Sequence, residues 1–231
     1  MQTTTAHLKC EKSNTIDSSR TPIVGGTFRC WLGTGFVGFS EGGVCYLAFG
    51  DQSAELERDF HTRFKLPPDW PLLDLSQLES VDLKAAADKS SPASSLLLTQ
   101  QGMSGQALET LQAWYIQIKR VVDRYAGAEG IAEDIDRLID SIPLEVAGTP
   151  FQRQVWQTLA SIPWGSTISY RQLAQRIGKP RAMRAVAAAC GANPIAILIP
   201  CHRVIGSNQS MTGYRWGIER KKSLLKRERT A

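Results

Sequence analysis

The chain has 231 residues, 42% of them hydrophobic, enough for one large domain or two small ones with ordinary packed cores. No apolar run approaches the roughly 18–20 residues of a membrane span, and the N-terminus lacks a signal-peptide core, so a soluble intracellular protein with no membrane contact is expected. The net charge of +5 hides a split: residues 151–231 hold 14 Lys+Arg against two acids, Glu219 and Glu228, whereas residues 1–150 hold 13 against 20. A short basic half beside an acidic one is the electrostatic footprint of a nucleic-acid binder, although a merely solvated basic face gives the same count.

In chain order, residues 1–21 read as a polar, mobile tail. Residues 22–49 alternate apolar and small residues and break at glycine pairs. They predict a β-meander at about 27–32, 35–40 and 44–49, with turns at Gly33 and at Glu41-Gly42-Gly43. Asp51 is placed to cap a helix over 53–64. A Pro-rich loop follows, and residues 84–106 look like an insertion or lid. Over 107–125, Leu108, Leu111, Trp114, Ile118 and Val121 fall on one helical face. A further amphipathic helix is expected over 131–142 and a last short strand over 143–148. The domain boundary is set there, between 22–146 and 147–231. Thr149 then caps a helix with Pro150 at its first position and Phe151, Val155, Trp156 and Leu159 as its buried stripe.

Residues 166–193 have the form of a helix-turn-helix: helix one at about Ser169–Ile177, a Gly-Lys-Pro turn at 178–180, helix two at about 181–191. A major-groove reading helix carries several long polar side chains. Here only Arg181 and Arg184 reach outward, among Ala182, Ala185, Ala187, Ala188, Ala189 and Gly191. Small residues let the backbone approach a duplex closely and without sequence preference; an alanine-rich core helix is the competing reading.

The five cysteines are odd in number and form no CxxC pair, which argues against a disulfide framework and a structural zinc site. Cys10, Cys30 and Cys45 with His7 and His61 fit no ligand spacing, so no metal is expected. Cys201 differs. It follows the apolar run Ala196–Ile199 and Pro200, and it precedes His202 and Arg203. A thiolate is stabilised by nearby cations or a hydrogen-bonded base, and both residue types stand beside it. Adjacent side chains on a strand face opposite ways, so His202 serves Cys201 only if the chain turns there or a water bridges them. The basic half offers only Glu219 and Glu228 to orient the imidazole. Among six neighbouring cations, a lone acid such as Glu228 is more often a simple ion-pair partner.

The segment "GANPIAILIPCHRVIG", the "RAVAAA" helix before it and "GYRWGIERKKSLLKRE" after it resemble the O6-alkylguanine-DNA alkyltransferases, also called methylated-DNA–protein-cysteine methyltransferases. The resemblance is greatest to the C-terminal alkyltransferase part of bacterial adaptive-response regulators. It is strong over 147–231 and weaker over 22–146. It implies an α/β N-terminal domain, ribonuclease H-like, with a small, mainly antiparallel sheet, followed by a mostly helical, winged helix-turn-helix-like domain. It also implies direct, single-turnover transfer of the alkyl group from O6-alkylguanine in double-stranded DNA to Cys201, with no cofactor. O4-alkylthymine is left open as a second substrate.

In that resemblance His202 is general base through a water, Glu228 polarises it, and Asn193 holds the cysteine loop. Tyr170 contacts the flipped base and protonates the departing guanine. Arg184 fills the gap in the stack, with Arg181, Ala182 and Ala185 on the duplex. Pro200, Val204, Tyr214 and Arg215 form the substrate pocket, the Val204 and Cys201 carbonyls accepting from the guanine amino group. The implied protein is a cytoplasmic, nucleoid-associated monomer. Trp164 is bulkier than the family's turn and expected to be peripheral. The tail is too short for the regulators' N-terminal zinc domain, so no transcriptional role is expected. The competing functions are a lesion-flagging protein, which would lack the acceptor thiol, a cysteine hydrolase built on Cys201, His202 and Glu228, and a helix-turn-helix regulator.

Overall fold

A computed structural model describes residues 8–10, 16, 22–80, 104–127, 134–211 and 213–230. Most of the 84–106 insertion and most of the expected tail lie outside these residues. The sheet has five strands in the order β1-β5-β4-β3-β2. Strands β2 (Val24–Cys30), β3 (Gly33–Ser40) and β4 (Gly43–Gly50) form the antiparallel meander, each longer than the periodicity predicts. The sheet is mainly antiparallel, as expected, but mixed: β5 (Leu144–Val146) joins β4 parallel, and β1 (Leu8–Cys10) joins β5 parallel. Part of the stretch read as a mobile tail is therefore an edge strand, and Ile16 is buried in the core.

The meander turns lie at Trp31-Leu32 and Glu41-Gly42. Gly43 begins β4 at φ +139°, where a Cβ would stand 2.2 Å from the Pro143 carbonyl oxygen, so β4 and β5 approach closely only with glycine there.

Both faces of the sheet are covered, which is why β4 is buried on both sides. On one face Phe36 and Tyr46 pack on Phe60 of α1 (Ser53–Phe64). On the other, Phe28 meets Tyr115 and Phe39 stacks on Trp114, both from α3 (Gly105–Ala126). A short α2 (Leu75–Ser80) lies between them in sequence. Asp51 does not cap α1. The cap position is Gln52, without a side-chain bond, and Asp51 instead pairs with Arg220. A charged partner outcompetes a single backbone amide. The α3 stripe is buried as expected except for Trp114, which is half-buried, and it runs on through Val122 and Tyr125.

The amphipathic helix expected over 131–142 is α4 (Ile135–Asp140). Next, α5 (Pro150–Ala160) opens on a full capping box, Thr149 and Gln152 satisfying each other's backbone amides. Its stripe is Val155, Trp156 and Leu159; Phe151 is only half-buried. Then come β6 (Ile168–Ser169), α6 (Tyr170–Arg176), α7 (Met183–Gly191), a 3-10 turn at Cys201–Arg203, β7 (Val204–Ile205) and α8 (Ile218–Thr230). Strands β6 and β7 pair parallel beside the turn. A Trp156 indole bond to the Ala189 carbonyl, 2.9 Å, ties α5 to α7.

One junction positions the site. Beyond Val44, the edge of β4 is free of β5. Leu47 uses that edge to bond the Pro194 carbonyl (3.0 Å) and the Ala196 amide (2.7 Å). The segment leading to Cys201 is thus hydrogen-bonded to the sheet.

Candidate active site

The approach to Cys201 is buried from Asn193 through Arg203. Ile197 sits at φ +67°, a conformation that a β-branched residue adopts only where its surroundings impose it. Asn193 clips this segment. Its amide nitrogen donates to the Ile199 carbonyl (2.8 Å) and to the Cys201 sulfur (3.2 Å), and its oxygen accepts from the Ile195 amide (3.0 Å). Asn193→Ala leaves the buried Ile195 amide unpaired and removes one of the two donors to the Ile199 carbonyl, the Cys201 amide being the other, so a stability loss of about 1–3 kcal/mol is expected in urea melts. Asn193→Asp, isosteric but charged in a buried site, should be at least as damaging.

The 3-10 turn resolves the geometry of the adjacent thiol and imidazole. Cys201 faces a cavity of about 600 Å³ bordered by Tyr170, Met183, Arg184, Cys190, Tyr214 and Arg215. His202 is not among the residues that border the cavity and is fully buried. Its Nε2 lies 2.7 Å from Glu228 Oε1, and its Nδ1 has no hydrogen-bond partner among the described residues. A carboxylate accepts, so Nε2 carries the proton and Nδ1 keeps the lone pair.

Glu228 serves four groups. Besides His202 it accepts from Arg203 Nε on both oxygens (3.0 and 3.1 Å), from the Tyr125 hydroxyl (2.6 Å) and from the Gly165 amide (3.1 Å). Burial alone would raise its pKa. The His202 hydrogen bond, the Arg203 guanidinium and the Tyr125 hydroxyl outweigh burial and hold it down at about 2. His202 is pushed below its ordinary value by burial, against the pull of Glu228. Both readings of Glu228 are therefore realised: it is an ion-pair partner and the acceptor for the imidazole. Arg203 does not add its field directly to the thiol, because it is spent on Glu228 and on the Ile162 carbonyl (2.5 Å).

Burial raises the Cys201 thiol, opposed by the Asn193 hydrogen bond and by Lys221. It is a protonated thiol at rest, with a base behind the turn and a cation near it. Burial also pushes Tyr170 up to about 12, helped by the two thiols Cys190 and Cys201, so its hydroxyl is protonated at neutral pH.

The remaining expected residues divide. Arg184, Tyr170, Tyr214 and Arg215 border the cavity, and Arg184 is exposed at its rim. Arg181 and Ala185 are exposed beside them and Ala182 is half-buried, all outside the cavity wall. Arg215 also grips Asp59 of α1 at 2.6 and 2.8 Å. One expectation needs correction. Pro200 borders a different recess, shared with Arg203 and Asp136, because the chain turns between it and the thiol. Val204 is buried and is not among the residues that border the cavity; its carbonyl accepts from Lys221 Nζ at 2.6 Å and keeps a second lone pair. Trp164 is not peripheral: its ring lies 4.4 Å from that of Tyr125 and under the Arg203 guanidinium.

Tyr125, Lys221, Met183 and Cys190 were missed. Lys221 also reaches the Gly213 carbonyl (3.3 Å), joining the two strands of chain that flank the cavity. Its signal was periodic: 221, 224, 225 and 228 fall on one face of α8.

Residues 150–230 match the family described as 6-O-methylguanine DNA methyltransferase, DNA binding domain. The "Regulatory protein ada" of Salmonella typhimurium is 61% identical over 88 residues, 38% of this chain and 25% of that protein. The chain spans only a quarter to about half the length of the first curated relatives it matches. A probable methylated-DNA–protein-cysteine methyltransferase of Acanthamoeba polyphaga mimivirus is 47% identical over 109 residues, 47% of this chain and 72% of that protein. In three dimensions, the O6-methylguanine methyltransferase of Mycobacterium tuberculosis superposes with a TM-score of 0.56 at 26% identity, over 90% of this chain and 93% of that one. A buried thiol backed by an imidazole and a carboxylate, in a fold shared over nine-tenths of its length, accords with these likenesses, and the chain belongs to the methylated-DNA–protein-cysteine methyltransferase family.

Proposed function

We propose that this protein repairs double-stranded DNA by moving the alkyl group of O6-alkylguanine onto Cys201, once per molecule. The observation that carries the reading is a protonated thiol facing an open cavity, with a neutral imidazole behind it whose free nitrogen is the one left for the thiol's proton. In the step, the Cys201 Sγ proton passes through a water to His202 Nδ1, and Sγ bonds the alkyl carbon as that carbon's bond to O6 breaks. The departing guanine takes a proton at N3 from the Tyr170 hydroxyl, which refills from solvent. The product is a thioether, which hydrolysis does not reverse, so no turnover machinery and no cofactor are needed.

The modified oxygen is enclosed in the duplex, so the base must first leave the stack, at a cost of a few kcal/mol. The exposed, alanine-rich face of α7 suits close approach in the minor groove, and Arg184, exposed and bordering the cavity, would occupy the gap. The basic C-terminal part supplies binding without sequence preference. On this reading residues 22–146 are a ribonuclease H-like unit, residues 147–231 a winged helix-turn-helix unit that carries the acceptor, and the protein works as a cytoplasmic monomer.

The test is mass spectrometry of the protein after mixing with a duplex containing one O6-methylguanine. We expect one added methyl per chain, on the peptide holding Cys201, and none with Cys201→Ala, which should still bind the duplex. Binding without mass gain in the unaltered protein would sink the reading in favour of lesion recognition alone. Continuous release of product would favour a hydrolase.

A further inference from the structure

We propose that Tyr125, at the C-terminal end of α3, is a positioning residue for the transfer reaction: its hydroxyl holds Glu228 and the Nε2–H edge of His202 together, and so keeps Nδ1 as the base. The inference rests on the proposed role of Cys201 and His202 and adds a residue from the N-terminal part of the fold to that site.

The geometry is specific. Tyr125 is fully buried. Its hydroxyl donates to Glu228 Oε1 at 2.6 Å and lies 3.3 Å from His202 Nε2. Having given its proton to the carboxylate, the oxygen presents only lone pairs to the imidazole. A protonated Nε2 is welcome there, and a bare Nε2 would face two acceptors. The tautomer is therefore chosen twice, by Glu228 and by Tyr125. The ring itself is held by Trp164 at 4.4 Å and stands edge-on to the imidazole at 6.1 Å. A tyrosine kept only for packing would not need its hydroxyl between two polar groups from two other elements, the 3-10 turn and α8.

His202 is faced by Tyr125 from α3, by Glu228 and Lys221 from α8, by its neighbours Cys201 and Arg203, and by Tyr214 from the loop before α8. Asp136 of α4 stands behind Arg203 at 3.9 Å. Of these, Tyr125 and Arg203 donate to the same carboxylate oxygen that His202 uses, and Tyr125 does so at the shorter distance, 2.6 Å against 3.0 Å. Its donation draws charge from Oε1 and weakens the pull of Glu228 on an imidazolium. Removing it should make His202 easier to protonate.

The test is Tyr125→Phe in the full chain, with two readouts. The chain has three histidines, His7, His61 and His202, so nitrogen-15 spectra resolve the imidazole. We expect a single Nε2–H tautomer in the unaltered protein and averaging of the two nitrogens in the variant. In methyl transfer, the acid limb of the rate profile should move upward, slowing the variant about threefold to tenfold below the limb and only about twofold on the plateau, where the averaged imidazole still offers a bare Nδ1 about half of the time. If Tyr125→Phe fails to fold, 3-fluorotyrosine at position 125, a stronger donor on the same ring, should move the limb downward. An unmoved limb with an unchanged tautomer overturns the proposal, and so does an equal rate loss at every pH, which is what a packing role would produce. An Nδ1–H tautomer in the unaltered protein also overturns it. The spectra need no transfer, so a protein that transfers nothing defeats the proposed function while the tautomer still decides this inference.

Discussion

Glu228→Gln is expected to slow methyl transfer at neutral pH by a hundredfold or more and to cost about 3–5 kcal/mol of stability. The second figure follows from what the carboxylate neutralises. The Arg203 guanidinium is 2% exposed and spans both Glu228 oxygens. Removing one partner of a buried pair leaves the other charge uncompensated, which costs about that much. A glutamine also replaces one acceptor by an NH2 group that must face Arg203, His202, Tyr125 or Gly165, all of them donors. The rate follows from the tautomer, since an imidazole without its carboxylate no longer holds Nδ1 free, and each 1.36 kcal/mol lost in the transition state is tenfold.

The pH dependence has a definite sign. Glu228 titrates at about 2 in the folded chain, below its ordinary 4.5, so its contribution is whole above 4.5 and is lost as pH falls toward 2. His202 is also depressed, from 6.5. Below 6.5 the unfolded chain binds a proton that the folded chain refuses, and stability falls further. Both groups therefore act in the same direction. Urea melts at pH 7.5, 5.5 and 3.5 should show stability falling steadily in the unaltered protein and a shallower fall between 5.5 and 3.5 in Glu228→Gln. Equal slopes in the two proteins would mean that other carboxylates carry the acid sensitivity.

Much of this site was legible because its parts are close in sequence. Asn193, Cys201 and His202 lie within ten residues, and an apolar run ending in a thiol and an imidazole is rare enough to question. The local turn was also foreseeable, since a strand would send the two side chains apart and Pro200 permits an alternative. The role of Arg203 was not legible. Its sequence neighbour is the thiol, but its spatial partner is 25 residues away, and a guanidinium reaches whichever carboxylate the fold brings near. Asp51 misled for the same reason. A helix-capping position was the local reading, and Arg220, 169 residues on, won.

Tyr125 shows a different limit. The α3 stripe from Leu108 to Val121 advances by three and four residues, and one more step of four reaches Tyr125. Periodicity therefore predicted burial. It said nothing about the hydroxyl, because the partner was fixed only when α3 met α8. The parallel strands were illegible in another way. Leu8–Cys10 has no alternation to read in three residues, and its pairing with Leu144–Val146 depends on an edge that only the folded sheet exposes. Long-range pairing of short strands has almost no local signature.

Arg184→Ala is expected to slow repair of O6-methylguanine in a duplex by about a hundredfold while leaving the reaction with the free alkylated base unchanged. The two substrates differ by the work of extrusion. A paired guanine must unstack and unpair at a cost of a few kcal/mol, and a side chain that fills the vacated space recovers part of it; recovery of about 2.7 kcal/mol corresponds to a hundredfold. Arg184 is exposed near the start of α7, one residue after Met183, and both border the cavity that Cys201 faces. Among the described residues no hydrogen bond or ion pair links it to His202 or Glu228, so the thiol and its base should be untouched by the change. Arg184→Lys should recover binding charge without the planar guanidinium that stacks between bases, and so restore the salt dependence of binding more than the rate. Single-turnover rates on duplex and free base, for the three proteins side by side, separate the two contributions. If Arg184→Ala slowed the free base as much as the duplex, the arginine would belong to the chemistry of the pocket rather than to the opening of the helix.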